Sequence, residues 1–115
     1  MRRQKSRVEI NYEVLRLQAE FCKGMAHPKR ILILQILTSG EKTVSDLAAA
    51  TGIPQANLSQ HLAFLRQQGL LRTRRDGNNI YYSITDKRIA DACNIVKETI
   101  EEKLKQAQKM LQASR

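Results

Sequence analysis

The chain has 115 residues, room for one domain and too few for two ordinary ones, and its 42% hydrophobic content supports a modest core. Aromatics make up 4% and tryptophan is absent, so that core must be built from Leu, Ile, Val and Ala. A net charge of +9 points to a polyanionic partner, nucleic acid or an anionic membrane surface, and the apolar run Ile31 to Leu34 is far too short for a transmembrane span.

In chain order, Ile10, Val14, Leu17, Phe21 and Met25 recur at helical spacing and predict an amphipathic helix from about residue 9 to 25. His27-Pro28 breaks it, and Pro28 suits the first position of a second helix, Lys29 to about Thr38. That helix is apolar on several sides, which predicts a central place in the core, and Gly40 is its natural C-cap. Thr43 followed by Asp46 resembles a capping box opening a third helix, with Val44 and Leu47 inward and Gly52 as its end. Pro54 then starts a fourth helix, with Leu58, Leu62 and Leu65 on its buried stripe and Gly69 closing it. Two short helices joined by a tight glycine-containing turn form a helix-turn-helix pattern.

The period then changes. Residues 71–75 and 80–84 are strand-like runs flanking Asp76-Gly77-Asn78-Asn79, a strong hairpin signal. Asp86 caps a last helix whose stripe is Ile89, Cys93, Val96, Ile100 and Leu104, with a polar tail, Lys103 to Ser114, expected to fray. The predicted fold is mostly α with a β-hairpin wing, a winged helix-turn-helix of order ααααββα. Residues 1–8 read as a flexible basic tail and residues 9–112 as a single domain.

The charge is unevenly placed. Arg2, Arg3, Lys5 and Arg7 crowd the tail, and Arg66, Arg72, Arg74, Arg75, Lys87 and Arg88 outnumber Asp76 and Asp86 over residues 53–88, while the stretch between is balanced. A helix entering a major groove needs one face on its scaffold and one offering short polar side chains to base edges. The fourth helix meets this: opposite its leucines lie Gln55, Ala56, Asn57, Ser59, Gln60 and, at the margin, His61, with no acidic residue. In the hairpin, Arg72, Arg74 and Arg75, with Asn78 and Asn79, surround a glycine-containing tip suited to a minor groove or a phosphate backbone. Alternation puts Arg72 and Arg74 on one strand face. The basic tail either adds sequence-independent attraction or has no role.

These residues carry a resemblance. His27-Pro28-Lys29-Arg30-Ile31, Val44-Ser45-Asp46-Leu47, Leu58-Ser59-Gln60-His61-Leu62 and the run from Gly77 to Ile84 resemble the ArsR/SmtB family of winged-helix repressors, over roughly residues 14 to 102. The resemblance implies a homodimer built on the first and last helices. It also implies binding to double-stranded DNA at an inverted-repeat operator, repression, and release by an inducer such as a metal ion or an oxidant. It places base contacts on Gln55, Ala56, Ser59 and Gln60.

The family's metal sites do not transfer. Thr43 and Ser45 stand where its third-helix site has thiols, and a hydroxyl does not replace a soft thiolate. At its last-helix site Asp86 and Glu102 fit, but Arg88 and Thr99 stand at the histidine positions, and two carboxylates alone hold zinc poorly. No metal or other cofactor is expected. His27 reads as a helix-start residue. Cys22 and Cys93 form no disulfide framework and read as thiols of a reducing cytoplasm. They are either small apolar packing residues or, because the helices that carry them would form the dimer interface, a pair for thiol oxidation or reactive sulfur.

Nothing in the chain assembles a nucleophile-base pair, a phosphate-cradling glycine loop or a metal triad, so an enzyme is not expected. A winged-helix module for protein interaction alone would carry acidic or bulky apolar residues on the exposed face of the fourth helix, and this chain carries neither. Membrane-surface binding would need a basic amphipathic helix, whereas the charge sits on a hairpin and a tail.

Overall fold

A computed structural model describes residues 9–114. The basic tail at residues 1–8 lies outside the described residues. The element order is α1 (Tyr12–Met25), α2 (Pro28–Leu37), β1 (Lys42–Thr43), α3 (Val44–Thr51), α4 (Gln55–Gln67), β2 (Leu71–Asp76), β3 (Asn79–Ile84) and α5 (Lys87–Ala113). The predicted winged helix-turn-helix is present, with one strand more than expected.

Four of the five helices begin where a side chain takes up an orphan amide. The Asn11 carboxamide accepts from Glu13 and Val14, which starts α1 three residues later than the apolar period suggests. His27 caps α2 through its ring, with Pro28 at the first turn. The Thr43–Asp46 capping box at α3 is reciprocal, Asp46 N–H to Thr43 Oγ1 and Thr43 N–H to Asp46 Oδ2, both 3.1 Å. Pro54 occupies the N-cap of α4 and is not its first helical residue, and it provides no side-chain cap. After α4, the Gly69 amide bonds Arg66 O and the Leu70 amide bonds Leu65 O, the paired bonds of a Schellman stop. Gly40 is not the C-cap of α2: Thr38 takes that place, and Gly40 serves the turn beyond it.

The core is aliphatic. Leu47 of α3 and Leu58, Leu62 and Leu65 of α4 are fully buried against Ile33 and Leu34 of α2. Helix α2 packs on α3, α4, α5 and β3, yet it is not enclosed all round, because Leu32 stays exposed. The sheet is antiparallel in the order β1-β3-β2, and the unpredicted β1 pairs Lys42 with Tyr82 and Thr43 with Tyr81. The hairpin register runs from Leu71–Ile84 to Asp76–Asn79 across a two-residue turn, Gly77-Asn78. Gly77 has φ +64° and Asn78 a negative φ, the type II′ pattern in which the first turn position favours glycine.

Two helices contribute little to this core. In α1 only Met25 is buried; Val14 and Leu17 on the stripe, and Ile10 just before the helix, are about half exposed. In α5 only Ala90 is buried, while Val96 and Ile100 are 58% and 52% exposed. The expected fraying tail is instead helical to Ala113. The radius of gyration is accordingly 19.2 Å, against about 13 Å for a compact domain of this length.

Candidate nucleic-acid interface

Helix α3, the Gly52-Ile53-Pro54 turn and α4 form the helix-turn-helix, with Ile53 buried beneath the turn. The leucine stripe fixes the rotation of α4, and that rotation decides what faces outward. Gln55, Ala56, Asn57, Ser59 and Gln60 are all exposed. Further along the same helix Ala63, Arg66 and Gln67 are exposed too, so the outward side carries no carboxylate. Ser59, Ala63, Arg66 and Gln67 border, with Tyr82 of β3, a shallow hollow of about 390 Å³ between helix and wing. Gln and Asn amides can pair with an adenine edge bidentately, and Ser can bond base or phosphate.

His61 stands apart from the other five. It is half-buried and turned back toward α2, where its Nδ1 accepts from Arg30 Nε at 3.3 Å and its ring meets His27 edge-on, centroids 4.6 Å apart. Burial, then the charges of His27, Arg30 and Lys29, hold its pKa below the usual imidazole value.

On the wing, Arg72, Arg74, Arg75, Asn78 and Asn79 are all exposed. They are not equivalent. Arg74 grips Glu41 with two donors, Nη2 at 2.6 Å and Nε at 3.2 Å, and lies 4.6 Å over the Tyr81 ring. The bond to Arg74 lowers the Glu41 pKa and raises that of Arg74. Arg74 thus ties the wing to the loop before β1. Among the described residues Arg72 and Arg75 form no ion pair, so their donors are open to a phosphate.

Thr43, Asp86 and Arg88, three of the residues at the family's metal positions, are committed elsewhere. Thr43 caps α3. Arg88 Nη2 donates to Asp86 at 2.7 Å, and this bond, with the Arg88 amide, brings the Asp86 pKa down to about 2. Among the described residues no three His, Cys, Asp or Glu side chains converge. Cys22 is exposed and Cys93 half-buried, so packing accounts for Cys93 better than for Cys22. Burial first, and then the charge of Cys22, raise the Cys93 pKa. Cys93 also borders an apolar crevice of about 280 Å³ with Ile31, Val96 and Ile100 between α2 and α5.

Sequence reasoning assigned no role to the side chains of Glu41, Arg30 and Phe64 or to Gly24. A Cβ on Gly24 would lie 2.6 Å from Phe64 Cζ, so glycine lets the end of α1 rest on the ring. The spacing of these residues gives no signal, since each partnership spans different elements.

A leucine-anchored helix presenting amides and hydroxyls, beside an arginine-bearing hairpin, defines a winged helix-turn-helix DNA-binding protein. The family model described as bacterial regulatory protein, arsR family, matches residues 27–73. An uncharacterized HTH-type transcriptional regulator of Mycobacterium tuberculosis is 40% identical over 86 residues, covering 74% of this chain and 75% of the relative. Its crystal structure superposes with a TM-score of 0.72 at 37% identity, covering 82% of this chain and 95% of that one. A transcriptional repressor SmtB homolog of Synechocystis is 36% identical over 84 residues, covering 73% of this chain and 64% of the relative. The homodimeric winged helix-turn-helix DNA-binding domain of a Mycobacterium bovis protein matches with a TM-score of 0.73 at 30% identity, covering 88% of this chain and 94% of that one. This chain belongs to the ArsR family of transcriptional regulators. It is a DNA-binding regulator and not an enzyme.

Proposed function

We propose that the protein is a cytoplasmic repressor that binds an inverted-repeat operator as a homodimer. The observation that carries this reading is the outward face of α4, free of carboxylates and flanked by the open guanidinium groups of Arg72 and Arg75. Gln55, Asn57, Ser59 and Gln60 read base edges, and Ala56 offers a small apolar surface to a thymine methyl. Arg72, Arg75, Asn78 and Asn79 hold the backbone or minor groove, with Arg74 fixing the wing's angle through Glu41. Arg2, Arg3, Lys5 and Arg7 add sequence-independent attraction.

One recognition helix reads only a few base pairs, so two are needed, about one helical turn apart. The exposed stripes of α1 and α5 supply the dimer surface: Val14, Leu17, Val96, Ile100 and Leu104 have no place in the chain's own core. The homodimeric state of the Mycobacterium bovis domain supports this assembly.

Release acts through Cys22 and Cys93 and not through a metal. Cys22, the exposed thiol, attacks a hydroperoxide, takes one oxygen and expels the alcohol or water. Cys93 then attacks the sulfenic sulfur, a disulfide forms and water leaves. The bond would link α1 to α5, within one chain or across the two subunits, and change the angle presented by the dimer. Electrophoretic shifts on upstream DNA test the whole reading: binding should be lost with hydroperoxide and restored by dithiothreitol. Cys22→Ser and Cys93→Ser should each bind regardless of oxidant. Oxidant-insensitive binding by the unaltered protein refutes the thiol step, and absence of sequence-selective binding refutes the repressor.

A further inference from the structure

Behind the outward face of α4 lies a polar cluster to which DNA contact assigns no task. Arg30, in the first turn of α2, donates from Nε to His61 Nδ1 and from Nη1 to the Gly24 carbonyl at the end of α1. Its guanidinium carbon lies 3.7 Å over the Phe64 ring. One side chain therefore touches α1 and successive turns of the back of the recognition helix. His27 completes the group, its ring against His61 and its Nδ1 accepting the Lys29 amide at 3.3 Å.

The protonation state follows from donor count. A guanidinium only donates, so His61 Nδ1 must offer a lone pair, and its single proton sits on Nε2. The Arg30 bond exists only with neutral His61. The charged and titratable groups around the ring are His27, Lys29 and Arg30, from α2 and its cap, all basic; Gly24 of α1 and Phe64 of α4 bring no charge. No carboxylate among them rewards protonation.

We propose that Arg30 and His61 are the positioning pair that sets the recognition helix against the α1–α2 junction, and that sequence-specific DNA binding weakens when acid breaks it. This rests on the DNA-binding reading above. Protonation turns Nδ1 from acceptor to donor, and an imidazolium then faces a guanidinium. The leucine stripe still keeps α4 folded, but base pairing by Ser59 and Gln60 needs the helix placed within a fraction of an ångström. Backbone attraction needs no such pose and gains from an added cation. Burial and the neighbouring charges keep the His61 pKa below its ordinary 6.5, so the pair is fully made above that pH and is lost as pH falls below it.

The test is the ratio of operator to random-duplex affinity of the full chain at pH 7.5 and pH 5.5. For the unaltered protein the ratio should be lower at pH 5.5 than at pH 7.5, with random-duplex affinity unchanged or higher. His61→Asn keeps an acceptor at the Nδ1 position at every pH and should bind as at pH 7.5 throughout. His61→Phe keeps bulk without the acceptor and should discriminate poorly at both. His27→Asn retains the cap and should still titrate, with its transition moved to higher pH by the loss of the His27 charge. A flat ratio in the unaltered protein, an unchanged titration in His61→Asn, or a flat one in His27→Asn overturns the proposal. Full discrimination by the unaltered protein at pH 7.5 keeps those failures distinct from a failure of DNA binding, which would remove the pair's role with it.

Discussion

Replacing Glu41 with Gln should tighten binding to DNA of random sequence, although Glu41 lies on neither the recognition helix nor the wing. In the free protein its carboxylate occupies two donors of Arg74, at 2.6 and 3.2 Å. Both partners are solvent-exposed, so the pair matters little to folding and screening weakens it further. Its effect falls on DNA: a guanidinium held by a carboxylate does not neutralise a phosphate. Freeing Arg74 to make one phosphate contact steepens the log–log dependence of affinity on salt by about 0.9. Across a fourfold salt change, from about 50 to 200 mM, that slope corresponds to about 3.5-fold in affinity. Arg75→Ala should do the opposite, because Arg75 has no competing partner among the described residues, and Arg74→Ala should leave the slope nearly unchanged. Fluorescence anisotropy on a labelled random duplex over a salt series reads all three. Removing a negative charge also acts at long range, so the decisive comparison is Glu41→Gln with and without Arg74→Ala. If Glu41→Gln changes the slope equally in both backgrounds, or lowers affinity, the assignment of Arg74 to Glu41 is wrong.

Ser59→Ala and Gln60→Ala should each cost about 1–3 kcal/mol on the operator and nothing on random DNA, measured by competition shifts. Val96→Glu with Ile100→Glu should give a folded monomer by sedimentation and circular dichroism, since both side chains are more than half exposed in the single chain. Asp86→Asn should flatten acid unfolding between about pH 4 and pH 2: the Asp86 pKa, normally 3.8, lies near 2 when folded, so its support is present above the first value and lost toward the second.

What was legible in the sequence was local. The Thr43–Asp46 box, the Leu58–Leu62–Leu65 stripe and the Asp76-Gly77 turn each declare an element within a few residues, and all three stand as read. Strand β1 has only two residues and exists through Lys42–Tyr82 pairing, so no local period announces it. The tail of α5 reads as frayed because it is mostly polar, yet its Lys, Gln, Leu and Ala are good helix formers, and the helix continues. At the site, the polar face of α4 was legible because the leucines dictate it. His61 lies at the edge of that stripe, where a small rotation decides between groove and scaffold, and Arg30 settles it toward the scaffold. Arg74 reads as a DNA contact until Glu41, 33 positions away, is brought beside it.

The most direct test of the central claim is hydroxyl-radical footprinting of the DNA upstream of the protein's own gene. The account predicts two protected half-sites related by two-fold symmetry, their centres about one helical turn or roughly 10 bp apart, occupied together by a dimer. Protection of a single non-palindromic patch by a monomer, or no protection beyond that of random DNA, would contradict it.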